Sequence, residues 1–135
     1  MINNIKQTIV NRLLELYPGY TIYDEDVPQN FKTPSFLITL IEQDYNKRLN
    51  TKFISLISFD VAYFSNKRIT EIKEDCFDKQ MSLFRSLDLI GSYRVLNKQA
   101  TITDNVLHFT FNINYSEINN ERFTKMQKQT TNTNI

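Results

Sequence analysis

The stretch Leu107-His108-Phe109-Thr110-Phe111-Asn112-Ile113-Asn114-Tyr115 decides how this chain folds. Its residues alternate strictly. Leu107, Phe109, Phe111, Ile113 and Tyr115 fall on one side of an extended backbone; His108, Thr110, Asn112 and Asn114 fall on the other. A strand of an all-parallel sheet is covered on both faces and reads as a continuous apolar run. An apolar/polar alternation means an antiparallel strand with one face on a core and one face polar. The strand extends over 106–118, and Asp104-Asn105 before it is a turn from the arm Ala100–Thr103.

Working back, Tyr93-Arg94-Val95-Leu96 is a short extended segment. Before it the period changes. Over 67–89, Ile69, Ile72, Cys76, Phe77, Leu83, Phe84 and Leu87 line one stripe at helical spacing, with charged residues mostly opposite. Ser65-Asn66 is read as a turn and cap for this helix, and Gly91 as its end. Residues 35–45 and 52–64 are two long strands joined by Asn46-Lys47-Arg48-Leu49-Asn50 as a hairpin tip. At ~3.3 Å per residue these strands reach roughly 35–40 Å, enough to project beyond a core. Phe36, Ile38 and Leu40 share one face; Leu37, Thr39 and Ile41 share the other, so the strand is expected to be central or covered on both sides.

The chain opens with an amphipathic helix over 2–17. Ile2, Ile5, Ile9, Leu13, Leu16 and Tyr17 form its apolar side, with Lys6, Asn11, Arg12 and Glu15 between them. Asn3 or Asn4 is placed to cap it, and Pro18-Gly19 stops it. A short extended piece, Tyr20-Thr21-Ile22-Tyr23, leads into a polar loop over 24–34. The order predicts one α+β domain over 1–118: a mostly antiparallel sheet with a long hairpin and two helices packed on one face. Residues 119–135 are polar and repetitive and are expected to be a flexible tail.

Composition bounds the chemistry. The chain has 135 residues, with 16 Lys+Arg against 15 Asp+Glu, a net charge of +1. That balance disfavours a dedicated nucleic-acid binder, whose affinity comes mainly from neutralised phosphates. One cysteine, Cys76, and one histidine, His108, leave no internal disulfide, no Cys-based metal cluster and no multi-His site. Two glycines exclude a Gly-rich phosphate loop. No apolar run approaches the ~20 residues that cross a bilayer, and the first residues lack the basic start and apolar core of a signal peptide. The chain thus reads as soluble and made inside the cell.

The remaining candidates are weak. Asp24-Glu25-Asp26 suits a hard cation, but without binding-loop spacing it reads as a solvated loop. Asp60 with Glu71 and Lys73 has the residue types of a metal-dependent nuclease. The Glu-Ile-Lys lies in a helix, where a solvated face is the ordinary reading. His108 has no carboxylate or nucleophile beside it in sequence, and Cys76 sits on an apolar stripe as a buried small hydrophobe. No catalytic, metal or cofactor residue is therefore assigned. Ten Phe and seven Tyr instead mark interaction surface.

One segment carries a family resemblance. Val27-Pro28-Gln29-Asn30-Phe31-Lys32-Thr33-Pro34-Ser35-Phe36-Leu37-Ile38 follows Tyr23-Asp24-Glu25-Asp26, after an N-terminal helix and before a long hairpin and second helix. Together they resemble small tail terminator proteins of phages and prophages of low-GC Gram-positive bacteria, over roughly residues 1–118. Val27, Gln29, Phe31, Pro34, Phe36 and Ile38 fill the pattern; Asn30 stands where the pattern has Gly, as the next best residue for a left-handed turn. The resemblance implies a virion protein with no enzymatic activity and no cofactor. It implies six copies closing a ring on the head-proximal end of the tail tube, ending polymerisation and presenting a surface to the neck. The implied partners are the chain itself, the tail tube protein, a neck or head-completion protein, and a sheath where the tail contracts; DNA passes the lumen without specific binding, and no membrane is involved. The expected contacts are the hairpin end, Asp44, Tyr45, Asn46, Lys47, Arg48, Leu49 and Asn50, and the loop residues Val27, Gln29, Phe31 and Lys32. The alternatives are another head–tail joining subunit, a metal-dependent nuclease-like enzyme, or an unrelated oligomeric domain.

Overall fold

The computed structural model describes residues 2–47 and 52–118, with the side chains of 45–47, 52–54 and 116–118 left aside. Two helices, α1 (Ile2–Leu16) and α2 (Ile72–Ser86), accompany six strands: β1 (Thr21–Asp24), β2 (Ser35–Lys47), β3 (Lys52–Phe64), β4 (Leu89–Ile90), β5 (Tyr93–Thr103) and β6 (Val106–Ile118). They form one sheet in the order β1-β2-β3-β6-β5-β4. It is mostly antiparallel; β1 runs parallel to β2, pairing Thr21 with Ser35 and Asp24 with Ile38. The expected α+β fold with a long hairpin is present.

The chain divides into two compact units. The larger holds Met1–Glu42 and Ser58–Ile113. In it the alternation of β6 works as read: Leu107, Phe109, Phe111 and Ile113 are all buried. They meet Phe59, Val61 and Tyr63 of β3, Phe36 and Ile38 of β2, Ile5, Ile9 and Leu13 of α1, and Cys76 and Leu83 of α2, in one buried apolar set. The smaller unit holds the distal strand ends, from Gln43 to Ile57 and from Asn114 onward; Ser55 and Ile57 are buried in it.

Aromatic rings close the end of the core where α1 stops. Phe36 lies 5.3 Å from the Tyr17 ring, 5.5 Å from Tyr20 and 5.4 Å from Tyr63. The Lys79 amine of α2 enters this cluster. It donates to the Tyr20 hydroxyl at 2.7 Å and lies 4.6, 4.7 and 5.1 Å from the Tyr17, Tyr20 and Tyr63 ring centres. A cation above ring faces is held by their negative quadrupoles, so Lys79 ties α2 to the other elements.

Several boundaries differ from the sequence expectation. α2 begins at Ile72 and ends at Ser86, shorter than 67–89 at both ends. Glu71 occupies its N-cap without a side-chain hydrogen bond. Ser65 does not cap: its Oγ donates to Asp75 at 2.5 Å. Acids on the first turn, Glu74 and Asp75, answer the partial positive charge of the helix start. At the other end Lys98 donates to the Phe84 carbonyl (2.9 Å) and Arg12 to the Ser86 carbonyl (3.1 Å), satisfying orphan acceptors. Ile69, in the turn ahead of the helix, and Phe77, on its flank, are exposed and not on the buried stripe.

Gly91 does not end α2; it sits with φ +61° in the tight turn between β4 and β5, where a Cβ would meet Thr8 Cγ2 at 2.8 Å. The two expected segments 93–96 and 100–103 are one strand, β5, with a register shift between Leu96 and Gln99 and Asn97 at φ +53°. Asp104 (φ +51°) and Asn105 (φ +62°) form the expected turn, both left-handed as a tight hairpin requires. Asn3 and Asn4 lie inside α1, not at its cap. Gly19, at φ +91°, follows the helix stop as read. β2 lies inside the sheet, between β1 and β3, and is fully covered on one face: Phe36 and Ile38 are buried, Leu37 and Thr39 half-buried, and Ile41 exposed. Both helices cover the same side, so alternate residues of β2 stay open.

Candidate interface surfaces

The loop carrying the family-like motif is built on a buried lysine. Lys6 was read as a polar position of α1, yet it is buried. Its amine pairs with Asp24 Oδ1 at 2.9 Å and with Glu25 Oε2. The same Glu25 oxygen accepts the Leu40 N–H at 3.0 Å, and the Glu25 N–H donates to the Ile38 carbonyl at 2.8 Å. The acidic run thus pins the loop to α1 and β2. Among the described residues no group of His, Cys, Asp and Glu is arranged to hold a metal ion. Glu25 itself takes the left-handed conformation, φ +68°. Asn30 does not, so the expectation placed there fails: the turn's strain is absorbed five residues earlier.

The charges respond to this pairing. Burial, the largest influence on Lys6, lowers its pKa, but hydrogen bonds from the amine to Glu25 and Asp24 outweigh it and leave the pKa above its ordinary value. The Lys6 hydrogen bond, helped by the Leu40 N–H, holds the Glu25 carboxyl below its ordinary range. A depressed carboxyl pKa contributes stability at neutral pH that is lost as pH falls below the ordinary value of 4.5 and through the folded one. A raised lysine pKa contributes stability that is lost as pH rises above 10.5. We expect Glu25→Gln to cost about 1 kcal/mol at neutral pH, kept small because solvent screens its half-exposed side chain. Thermal melts at neutral and acid pH check this. The wild type should lose stability on acidification faster than the variant; parallel pH curves would refute the coupling.

The motif residues divide by face. Phe36 points into the core. Phe31 turns to the other side of the sheet, 4.9 Å from the Phe64 ring and 6.4 Å from Tyr23. The Lys32 N–H donates to the Tyr23 hydroxyl at 2.9 Å. Phe31 and Val27 are half-buried, while Gln29 and Lys32 are exposed. Of the expected loop contacts, Gln29 and Lys32 are therefore presented to solvent, and Phe31 chiefly braces the loop. At the hairpin end, β2 runs to Lys47, and Asp44 is exposed in the smaller unit. Tyr45, Asn46 and Lys47 continue that strand; Arg48, Leu49 and Asn50 lie outside the described residues, as does the tail from 119.

On the sheet face away from the helices, Asp60 Oδ2 meets His108 Nδ1 at 2.9 Å, and the Ser58 hydroxyl donates to Asn112 Oδ1 at 2.7 Å. His108 therefore has the carboxylate partner that its sequence neighbourhood does not show. Asp60 is engaged there on β3, while Glu71 pairs with Arg68 at 3.1 Å, which leaves the nuclease-like set Asp60–Glu71–Lys73 without support. Cys76 is buried as expected, and burial, with the neighbouring Asp75 charge, pushes its thiol pKa up, away from nucleophilic use.

The described geometry thus consists of braced loops and open strand faces. A family model described as Phage tail terminator protein matches residues 4–125. The chain belongs to the phage tail terminator family. No curated protein matches the chain. Membership makes this a structural protein of the phage tail and a virion component. The match continues past the last strand to residue 125, seven residues beyond the end of β6. No described helix is long and apolar enough to cross a membrane. Gln29, Lys32 and Asp44 are exposed on this tail terminator.

Proposed function

We propose that this tail terminator closes a ring of six copies on the head-proximal end of the tail tube, ends tube polymerisation and presents the docking surface for the neck. Family membership over residues 4–125 carries this reading. The physical logic is that of a heterologous contact repeated around a closing rotation: each copy uses one patch to grip the next, and the last copy meets the first. One ring face accepts the final tube ring; the other lacks that complementarity, so growth stops. A net charge of +1 suits a lumen that DNA crosses without being held. The hairpin end from Asp44 to Asn50 and the loop residues Val27, Gln29, Phe31 and Lys32 serve as contacts with neighbouring subunits or tail partners. The site of action is the tail–neck junction of particles assembled in the host cytoplasm, and the protein acts without catalysis.

Immunogold labelling of particles from an induced lysate, viewed by negative-stain electron microscopy, tests the reading. Gold is expected at the head-proximal tail end, on tails with or without heads. Gold elsewhere on the particle, or none while the antibody detects the protein in the same lysate, would overturn it.

A further inference from the structure

The sheet ends in two unlike, mostly uncovered edges. On one side β1 covers β2 only as far as Ile38, and the Leu40 N–H just beyond is taken by Glu25 Oε2; from there, among the described residues, no strand pairs with that edge. On the other side β4 covers only Tyr93 and Arg94 of β5, and Gln99–Thr103 has no outer neighbour among the described residues. Unpaired N–H and C=O groups on such an edge are a template for another strand. The bulge at Leu96–Gln99 interrupts β5 near β4, but the run after it is regularly paired to β6 from Gln99 to Thr103.

The β5 edge has an apolar wall beside it. Phe77, Met81 and Phe84 fall at i, i+4 and i+7 on α2 and form one stripe. Phe84 lies 5.2 Å from the Phe109 ring, and Phe109 pairs with Ala100 of β5. The stripe therefore runs along the flank of α2 turned toward β5. Phe77 is 52% and Met81 44% exposed there. Arg94, exposed and without an ion pair among the described residues, stands at the step where β4 ends. On the β2 edge, Ile41 is 53% exposed on the face away from the helices, and Glu42 and Asp44 add exposed negative charge.

The geometry points to this edge of β5, with the Phe77–Met81 wall, as the acceptor surface on which the next copy of the chain lays the uncovered edge of β2. Charge selects the arrangement. Two β2 edges would set acid against acid, so a symmetric pairing is opposed; an antiparallel β2 laid on β5 with Ile41 beside Thr101 instead points Asp44 toward Lys98 and, beyond it, Arg94, whereas a parallel one would set it against Asp104. A contact between different patches is heterologous, as a ring needs. Each added strand continues the sheet, covering Phe77 and Met81 on the helix side and bringing Ile41 beside Thr101 on the opposite face. This assignment rests on the ring reading above and names the surface that closes it.

Cross-linking of the full chain tests it. Ile41→Cys and Thr101→Cys are made singly and together, and each protein is treated with a short bis-maleimide; the wild type measures any background from buried Cys76. The double variant is expected to give a ladder of bands beyond dimer on a denaturing gel. A mixture of the two single variants is expected to give dimer and nothing larger. Native mass spectrometry runs alongside. Oligomers in the mass spectrum without a ladder would overturn the edge assignment while leaving the ring reading intact. Monomer throughout, with no ladder, would overturn both for the free protein.

Discussion

Replacement of Phe36 by alanine is expected to cost about 3–5 kcal/mol, among the largest losses available to a single substitution in this chain. Phe36 is fully buried, on the inner face of β2, with the rings of Tyr17, Tyr20 and Tyr63 within 5.5 Å. Each of those rings is also committed elsewhere. Tyr17 shares a hydrogen bond with Ser82 Oγ at 2.6 Å, and Tyr20 receives one from Lys79. They are thus poorly placed to collapse into the space that Phe36 vacates, and the cost of a core truncation rises with the volume left unfilled. The lost ring also removes a wall of the cluster that holds the Lys79 amine. Denaturant melts should show a lower midpoint with an unchanged slope. Phe36→Leu, which refills most of the volume, should cost well under half as much. A loss below about 1 kcal/mol for the alanine variant would mean that this end of the core is not close-packed.

That cluster also shows what could be read in advance. Strict alternation in β6 predicted its buried face correctly, residue by residue, because a strand has one short period and that period was unbroken. α1 and the Asp104-Asn105 turn were legible for the same reason: their signals are local. α2 was overextended at both ends. Ile69 continues the helical period, yet the helix begins at Ile72, and Phe77 belongs to the flank left open. Periodicity reports where apolar residues recur and cannot report whether anything covers them.

The charged contacts were least legible. Lys6 is 18 residues from Asp24, and Asp60 is 48 from His108. No spacing rule joins positions that far apart; only the packing of α1 beside β1 and the β3–β6 pairing bring them together. The Asp24-Glu25-Asp26 run was visible as a cluster, but its lysine partner looked like an ordinary solvent-facing helix residue. The family, by contrast, was legible from Val27 to Ile38. That segment, with the helix before it and the hairpin after it, carried the resemblance; in the structure it turns Phe36 into the core and Phe31 onto the opposite sheet face. The open edges needed the sheet order itself, because which strands end a sheet is a property of topology.

A second large effect is expected at Asp75, where three elements are tied to one carboxylate oxygen. The Tyr63 hydroxyl donates to Asp75 Oδ2 at 2.6 Å and the Ser65 hydroxyl at 2.5 Å, while the Lys67 N–H donates to Ser65 Oγ at 3.0 Å. The end of β3, the turn after it and the first turn of α2 are thereby joined. Tyr63 is 1% exposed, and without the carboxylate its hydroxyl keeps the neighbouring Ser65 hydroxyl as partner. Asp75→Ala should cost about 2–3 kcal/mol, from losing a charged acceptor shared by two hydroxyls. Tyr63→Phe removes donor and hydration need together and should cost about 1 kcal/mol. The double variant should cost distinctly less than the sum, with a coupling of about 1–2 kcal/mol. Asp75→Asn, which keeps an acceptor oxygen, should fall between wild type and the alanine variant. The same geometry sets an alkaline signature. Burial, then the Asp75 hydrogen bond and its charge, drive the Tyr63 phenol far above its ordinary pKa of 10.0. In an ultraviolet titration one of the seven tyrosines should stay protonated until the chain unfolds. Additive costs in the double variant, or seven phenols ionising together in the folded protein, would show that Asp75 and Tyr63 do not act as a pair.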